Sequence, residues 1–277
     1  MFRHALVLLA ALAALLVVRP AMAATPHRIV SLSPTATESL FAIGAGSQVV
    51  AVDDQSDYPK RAPRTSLSGY TPNVEAIAGY RPDLVVLSGD ANDVVGGLRK
   101  LGIRVLLQPA AQTLSEAYAQ ISQLGAVTAH KRSAAALVRR MRKSITNAVK
   151  SVPKRHLSVY HELDPTYYSA TSKTFIGRIY KLFGLRNIAD AADSSGSHYP
   201  QLSGEYIVSA NPGLIVLADT RCCGQSAATV AGRAGWSGLA AIRNHRVVGI
   251  DDSVASRWGP RIVEFVRMVA EAMAEAK

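Results

Sequence analysis

LSGYTPNVEAIAGYRPDLVVL, residues 67–87, decides the fold because a related stretch, LSGEYIVSANPGLIVL, occurs at residues 202–217. Each copy contains Leu-Ser-Gly, a glutamate, a proline and an apolar run, and the offsets from the glutamate onward are identical. A proline ends a helix, and runs such as DLVVL and GLIVL suit strands that are covered on both faces. Each copy therefore predicts a short helix, a turn and a buried strand. The 130 residues from Glu75 to Glu205 are too many for a solenoid repeat and indicate two similar lobes.

The first 23 residues have the pattern of a secretory signal peptide. Arg3 and His4 precede an apolar run of 14 residues, Ala5–Val18, and Ala21-Met22-Ala23 forms a small-x-small cleavage site. Such a run is too short to span a bilayer, so we expect cleavage and export. No cysteine stands at the cleavage site, and we therefore expect no lipid anchor.

The charge balance of the chain is basic, with a formal net charge of +11. The Lys and Arg residues are scattered and are not interleaved with aromatic residues, which argues against nucleic-acid binding. A solvated basic surface explains them better. No later apolar stretch has membrane-spanning length, so we expect a soluble mature protein, and we expect it to be monomeric.

Two parts of the mature chain alternate between strand and helix patterns, residues 24–112 and residues 153–277. Near the start of the first part, Thr35 and Glu38 have the spacing of a capping box that would open a helix. Strands that alternate with helices are typical of a parallel sheet. The predicted fold class is α/β, with two lobes that contain parallel sheets and a ligand cleft between the lobes.

The stretch between these parts, residues 113–152, carries apolar residues at intervals of three or four. This spacing predicts one long α-helix that joins the lobes. The alternative is a pair of packed helices, with a break at Gly125 or at residues 128–131, because glycine often marks such a break.

Motifs of the common enzyme classes are absent from the sequence. It contains no G-x-S-x-G, P-loop, H-E-x-x-H or G-x-G-x-x-G pattern, which leaves a secreted enzyme as a remote alternative. A metal site could draw on His161, Glu162, Asp164 and His198, but all four lie in the second part of the chain. A site between two lobes should take histidines from both, so we expect no resident metal or cofactor.

The two cysteines, Cys222 and Cys223, are neighbours in the chain. In an oxidising compartment they could form a disulfide between adjacent residues or a bridge to another molecule. A pair of free thiols in a tight loop is the third option, and the sequence leaves all three open.

Aromatic residues are predicted at the carboxyl ends of the strands, which is where α/β sheets bind ligands. The first lobe would present Tyr58 and Tyr70. The second would present Tyr167, Tyr168 and the loop 251–258, with Asp252, Arg257 and Trp258. Tyr and Trp offer a broad apolar face and a hydrogen-bonding tip, which suits a large, flat ligand.

Glu75 and Glu205 occupy matching positions of the repeat, each near the start of a predicted helix. The helix dipole favours a carboxylate at that position, which is a sufficient structural explanation. The functional alternative is that two equivalent carboxylates, one per lobe, bind equivalent arginine-rich sites of a symmetric partner.

Four stretches resemble a family of periplasmic ABC-transporter substrate-binding proteins: RIVSLSPTATESLFAIGAG (28–46), Asp57-Tyr58-Pro59, EAIAGYRPDLVV (75–86) and SRWGPRIVE (256–264). This family has two α/β lobes joined by one long helix, and it includes cobalamin-, haem- and ferric-siderophore-binding members. The SLSP-x-x-TE and DYP patterns are most similar to the cobalamin-binding proteins.

The resemblance implies roles for several residues. Tyr58 and Tyr70 match aromatic ligand contacts, although the family pattern has Trp at the position of Tyr70. Tyr167 falls near a ligand-contacting Phe, and the loop with Asp252 and Arg257 closes over the ligand. The resemblance also implies that Glu75 and Glu205 contact arginines of an inner-membrane permease dimer.

The function that the resemblance implies is capture of cobalamin or a related corrinoid in the periplasm, followed by delivery to an ABC permease. The alternative ligand is haem or a ferric siderophore, and the candidate iron ligands are then His161, His198 and Tyr167, together with Tyr58, Tyr70 and Tyr168. In either case the metal-containing group is cargo and not a resident cofactor.

Overall fold

The computed structural model describes residues 24–153 and 156–274, so the predicted signal peptide lies outside the described residues. Its first sheet contains four parallel strands in the order β2-β1-β3-β4. The strands are β1 (Ile29–Leu32), β2 (Val49–Val52), β3 (Leu84–Leu87) and β4 (Arg104–Leu107), and the helices between them are α1 (Pro34–Ala42), α2 (Val74–Gly79) and α3 (Val94–Lys100).

The stretch that was expected to be one long helix is two helices, α4 (Leu114–Val127) and α5 (Lys131–Lys150). The chain reverses at Ala129, whose φ of 64° is left-handed, and α4 and α5 pack against each other. Gly125 permits this approach, because a Cβ there would collide with the Cβ of Ala134. The prediction of a single helix was therefore wrong and the two-helix alternative is correct. The 20-residue helix α5 is the long helix that leads into the second lobe.

The second sheet also contains four parallel strands, in the order β6-β5-β7-β8. The strands are β5 (Ser158–Glu162), β6 (Arg186–Asn187), β7 (Leu214–Leu217) and β8 (Val247–Gly249). The helices are α6 (Phe175–Leu182), α7 (Gly204–Ala210), α8 (Thr220–Cys223), α9 (Ala227–Ala231), α10 (Ala240–Arg243), α11 (Asp252–Ala255) and α12 (Ile262–Ala274).

The two sheets have the same strand order, and the sequence repeat corresponds to α2–β3 in one sheet and α7–β7 in the other. The prediction of two α/β lobes with parallel sheets is therefore confirmed, and the long helix that leads from one lobe to the other is α5 and not one helix over residues 113–152. The limits that we propose for the lobes remain 24–112 and 153–277, with 113–152 as the linker.

One apolar cluster fixes the lobes relative to each other. It extends from Leu40 of α1 and Ile121 of α4 through Met141 of α5 to Val159 of β5 and Phe265 of α12, all of them buried. Because both lobes bury side chains in the same cluster, separating them would expose apolar surface to water. Within the described residues, no helix is both long and apolar enough to cross a membrane.

The start of α1 differs from the sequence prediction. Its N-cap is Ser33, whose side chain accepts a hydrogen bond from the backbone N–H of Ala36, and Pro34 is the first helical residue. Thr35 and Glu38 are therefore inside the helix and do not form a capping box. The Glu38 side chain is therefore available for the ion pairs with Arg257 and Arg261 that are described below.

Candidate functional site

A cavity of about 340 Å³ lies at the carboxyl end of the first sheet. The strand order reverses between β1 and β3, and ligands of open α/β sheets bind beside such a reversal. The residues that follow these two strands, Ser33 and Ser88, line the cavity, together with Leu32, Asp53, Gly69 and Tyr70. The first lobe therefore supplies one wall of a cleft.

The opposite wall comes from the C-terminal part of the chain. It contains α11 and the residues that follow it, namely Asp252, Ser253, Ser256, Arg257 and Trp258. The indole N–H of Trp258 donates to Oε1 of Gln120 on α4 at 2.8 Å, which holds the ring at the edge of the cavity. The predicted loop 251–258 thus lies on the cleft.

Glu38 holds the two walls together through an ion cluster. Its buried carboxylate lies 2.8 Å from Nη1 of Arg257 and 2.6 Å from Nη2 of Arg261. Arg257 also contacts the Asp57 carboxylate at 2.9 Å and donates to the backbone oxygen of Gln55 at 2.7 Å. Burial acts to raise the pKa of Asp57, but Arg257, a backbone hydrogen bond and Arg261 together outweigh it and hold that pKa below its ordinary value. Arg257, predicted as a ligand contact, therefore has its guanidinium occupied by the protein.

Asp252 is also largely occupied. Its carboxylate accepts the backbone N–H groups of Arg221 and Cys222 at 3.1 and 2.8 Å. Arg221 in turn contacts Asp251 at 2.9 Å and Asp57 of the first lobe at 3.7 Å. This second set of contacts joins α8 to the rim of the cleft.

Cys222 and Cys223 are joined in a disulfide between adjacent residues, and both are exposed on α8. Of the three options that the sequence left open, the structure therefore contains the vicinal disulfide.

The four predicted tyrosines lie in different places. Tyr70 lines the cavity and is 80% exposed. Tyr58 packs under the Arg261 guanidinium, 4.4 Å from the ring centre, and does not line the cavity. Tyr168 is exposed and lines neither this cavity nor the one described next. Only Tyr70 is brought together with Asp252, Arg257 and Trp258.

Tyr167 lies in a separate cavity of about 830 Å³ on the second lobe. Its ring stacks on Trp236 with centroids 5.7 Å apart, and Arg233 lies over both rings. Glu205 is on the rim of the same cavity. The structure therefore separates Tyr167 from the cleft residues.

A buried ionic network lies behind that cavity. Arg233 binds both carboxylate oxygens of Glu162 at 2.6 Å, and the Tyr160 hydroxyl donates to Glu162 at 3.1 Å. Asp219 is fully buried, and neither of its carboxylate oxygens has a hydrogen-bond partner among the described residues. Burial, with Glu162 beside it, raises the pKa of Asp219 above its ordinary value. Sequence reasoning missed Asp219 and Arg233, although the position of Asp219 just after β7 was a usable signal.

The two candidate histidines are not in the cleft. His161 is fully buried, its Nδ1 is 2.6 Å from the Tyr180 hydroxyl, and burial lowers its pKa to about 3. His198 contacts Asp193 at 3.3 Å, away from the cavity lining. In residues 24–153 and 156–274, no group of three or more His, Cys, Asp or Glu side chains is arranged to hold a metal ion.

Glu75 and Glu205 occupy equivalent exposed positions in the first turns of α2 and α7. The N-caps of these helices are Asn73 and Ser203, so neither glutamate caps its own helix. Neither glutamate forms an ion pair within the part of the chain that the structure describes.

Comparison with known proteins identifies the class. The family model for periplasmic binding proteins matches residues 29–254. A substrate-binding lipoprotein of an uncharacterised ABC transporter from Bacillus subtilis is 35% identical over 260 residues, 90% of this chain and 80% of that protein. A cobalamin-binding protein from Halobacterium salinarum is 33% identical over 257 residues, 89% of this chain and 69% of that protein.

Solved structures agree with this assignment. The periplasmic vitamin B12-binding protein of Vibrio cholerae is 25% identical with a TM-score of 0.75, covering 91% of this chain and 98% of that one. The periplasmic haem-binding protein of Vibrio cholerae has a TM-score of 0.78 at 22% identity, covering 88% and 97%, which shows a shared fold. The chain belongs to the periplasmic binding protein family. It is a substrate-binding protein of an ABC importer and not an enzyme.

The ion cluster leads to a prediction for stability. Replacing Glu38 by Gln removes the buried counter-charge of Arg261 and one of the two carboxylates that Arg257 contacts, so the free energy of unfolding should fall by about 3 kcal/mol. Urea denaturation at neutral pH measures this change. The matched control is Glu271→Gln, an exposed position on α12 that should leave the midpoint almost unchanged. Equal midpoints for the two variants would show that the cluster does not hold the walls together.

Proposed function

We propose that the protein captures cobalamin or a related corrinoid in the periplasm and delivers it to the permease dimer of an ABC importer. The observation that carries this proposal is an aromatic side chain on each wall of the cleft, Tyr70 on one and Trp258 on the other. Two such faces suit a large, flat ring. The cobalamin-binding relative and the vitamin B12-binding structure described above support the same ligand class.

Haem and ferric siderophores are less well supported by the geometry. Of the candidate iron ligands, His161 is buried in the core and His198 contacts Asp193. Tyr167 lies in the second cavity. None of these three lines the cleft, and Tyr70 is the one candidate iron ligand among its lining residues, so an iron centre bound there would have a single protein ligand of the predicted set.

Delivery is assigned to Glu75 and Glu205. They are exposed, they repeat between the lobes, and neither forms an ion pair within the part of the chain that the structure describes. A carboxylate on each lobe is complementary to an arginine on each half of a two-fold symmetric permease.

Ligand titration tests the proposal. Cyanocobalamin should bind the purified protein, and Tyr70→Ala should weaken binding about tenfold because one stacking face is lost. The matched control is Tyr168→Ala, another exposed tyrosine, which lies outside the cavity and should leave the affinity unchanged. Binding of haemin with a shifted Soret band, without any binding of cyanocobalamin, would contradict the proposal.

The docking assignment predicts a separation of binding from transport. The double variant Glu75→Ala and Glu205→Ala should abolish corrinoid uptake while ligand affinity in solution stays at the wild-type value. Alanine at the exposed Glu264 and Glu271 of α12 is the control pair, and uptake should persist. A loss of affinity in the Glu75 and Glu205 variant would place these residues at the ligand instead.

A further inference from the structure

Asp53 is the first residue after β2 and lines the cleft, yet its side chain is almost completely buried, at 1% exposure. Its Oδ1 has no hydrogen-bond partner within the described residues. Its Oδ2 lies against Gly69, where an added Cβ would come within 2.8 Å. A buried carboxylate oxygen without a partner is costly, so its presence on a cavity wall indicates a donor that arrives with the ligand.

The arginines around the cleft do not supply that donor. Arg257 and Arg261 bind Glu38, and Arg221 binds Asp251. These three guanidiniums face five carboxylates around the cleft, those of Glu38, Asp53, Asp57, Asp251 and Asp252. The cleft is therefore locally acidic, although the chain as a whole is basic.

The ionisation state of the Asp53 carboxyl group is consistent with a locally acidic cleft. Burial raises its pKa to about 6 and the neighbouring Asp54 adds to the rise, whereas hydrogen bonding from Ser56 and the charge of Arg257 oppose it. The carboxylate is therefore mainly charged at neutral pH, where it accepts hydrogen bonds and repels other carboxylates.

We propose that Asp53 is a specificity-determining residue, which accepts a hydrogen bond from a peripheral amide N–H of a corrinoid and disfavours rings that carry carboxylates. This inference rests on the proposed function and names the ligand chemistry that the same cleft selects. A corrin ring carries amide side chains around its edge, whereas haem carries propionates. Among the described residues that line the cleft, the one cation, Arg257, is paired with Glu38 and Asp57, and an acidic wall of this kind favours the first and opposes the second.

Two ligands that share one ring test the proposal on the wild-type protein. Dicyanocobinamide carries peripheral amides, and dicyanocobyrinic acid carries carboxylates in their place. Calorimetric titration at neutral pH should show dicyanocobinamide binding at least about tenfold more tightly, the worth of one charge-assisted hydrogen bond. Equal affinities, or tighter binding of the acid, would overturn the assignment of Asp53.

The variant Asp53→Asn links the preference to this side chain. It removes the charge, keeps the shape and adds an N–H donor, so the preference for the amide ligand should fall about tenfold. Asp54→Asn is the matched control, because Asp54 is adjacent but does not line the cavity, and it should keep the wild-type preference. An unchanged preference in Asp53→Asn would overturn the proposal.

Thermal unfolding of the ligand-free variant gives a readout that does not depend on binding. Asp53→Asn should melt at a higher temperature than wild type at neutral pH, because it removes a buried charge whose burial raises the pKa of the group and whose Oδ1 has no partner within the described residues. A lower melting temperature would show that the carboxylate has an internal structural role. If Asp53→Asn does not fold, that outcome also counts against the proposal, and the ligand pair on the wild type still decides the preference.

The same titrations separate this inference from the proposed function. If cyanocobalamin and dicyanocobinamide both fail to bind the wild-type protein, the proposed function fails and the inference fails with it. If they bind but the amide and carboxylate rings are not distinguished, the inference alone fails.

Discussion

The contact of Glu38 with Arg257 and Arg261 is the constraint on which the cleft depends. Glu38 is buried in a helix of the first lobe, and the arginines belong to the segment between α11 and α12. Breaking a buried ion pair costs several kcal/mol, so this segment is held against the first lobe. The same contacts occupy the guanidiniums beside the cavity. One cluster therefore sets both the position of the second wall and the charge that a ligand meets.

The duplicated lobes use their equivalent positions differently. In the first sheet Leu32 pairs with Leu87, and the space beyond these strand ends is open as the cavity. In the second sheet Glu162 pairs with Leu217, and Glu162 is bound there by Arg233, which also lines the cavity that contains Tyr167. The cleft on the first lobe is completed by α11 and the residues after it, whereas the cavity on the second lobe is lined by residues of that lobe. Glu75 of α2 and Glu205 of α7, in contrast, are exposed at equivalent positions of the two lobes.

Much of the fold could be predicted because the decisive signals are local. The repeat at 67–87 and 202–217 gave both buried strands and their helices, and apolar runs gave the remaining long strands. The site was less predictable, because Glu38 has the spacing of a capping residue and only tertiary contacts show its partners. Tyr167 has the right position after β5, but stacking on Trp236 draws it into another cavity. The break at Ala129 depends on packing between α4 and α5. The spacing of apolar residues along the chain carries no information about that packing.

The most direct test of this account is a crystal structure of the protein with bound cyanocobalamin. The corrin ring should lie between Tyr70 and Trp258, with a peripheral amide nitrogen within hydrogen-bonding distance of Oδ1 of Asp53. A corrin ring in the cavity beside Tyr167 and Trp236, or one that leaves Asp53 without a partner, would contradict it.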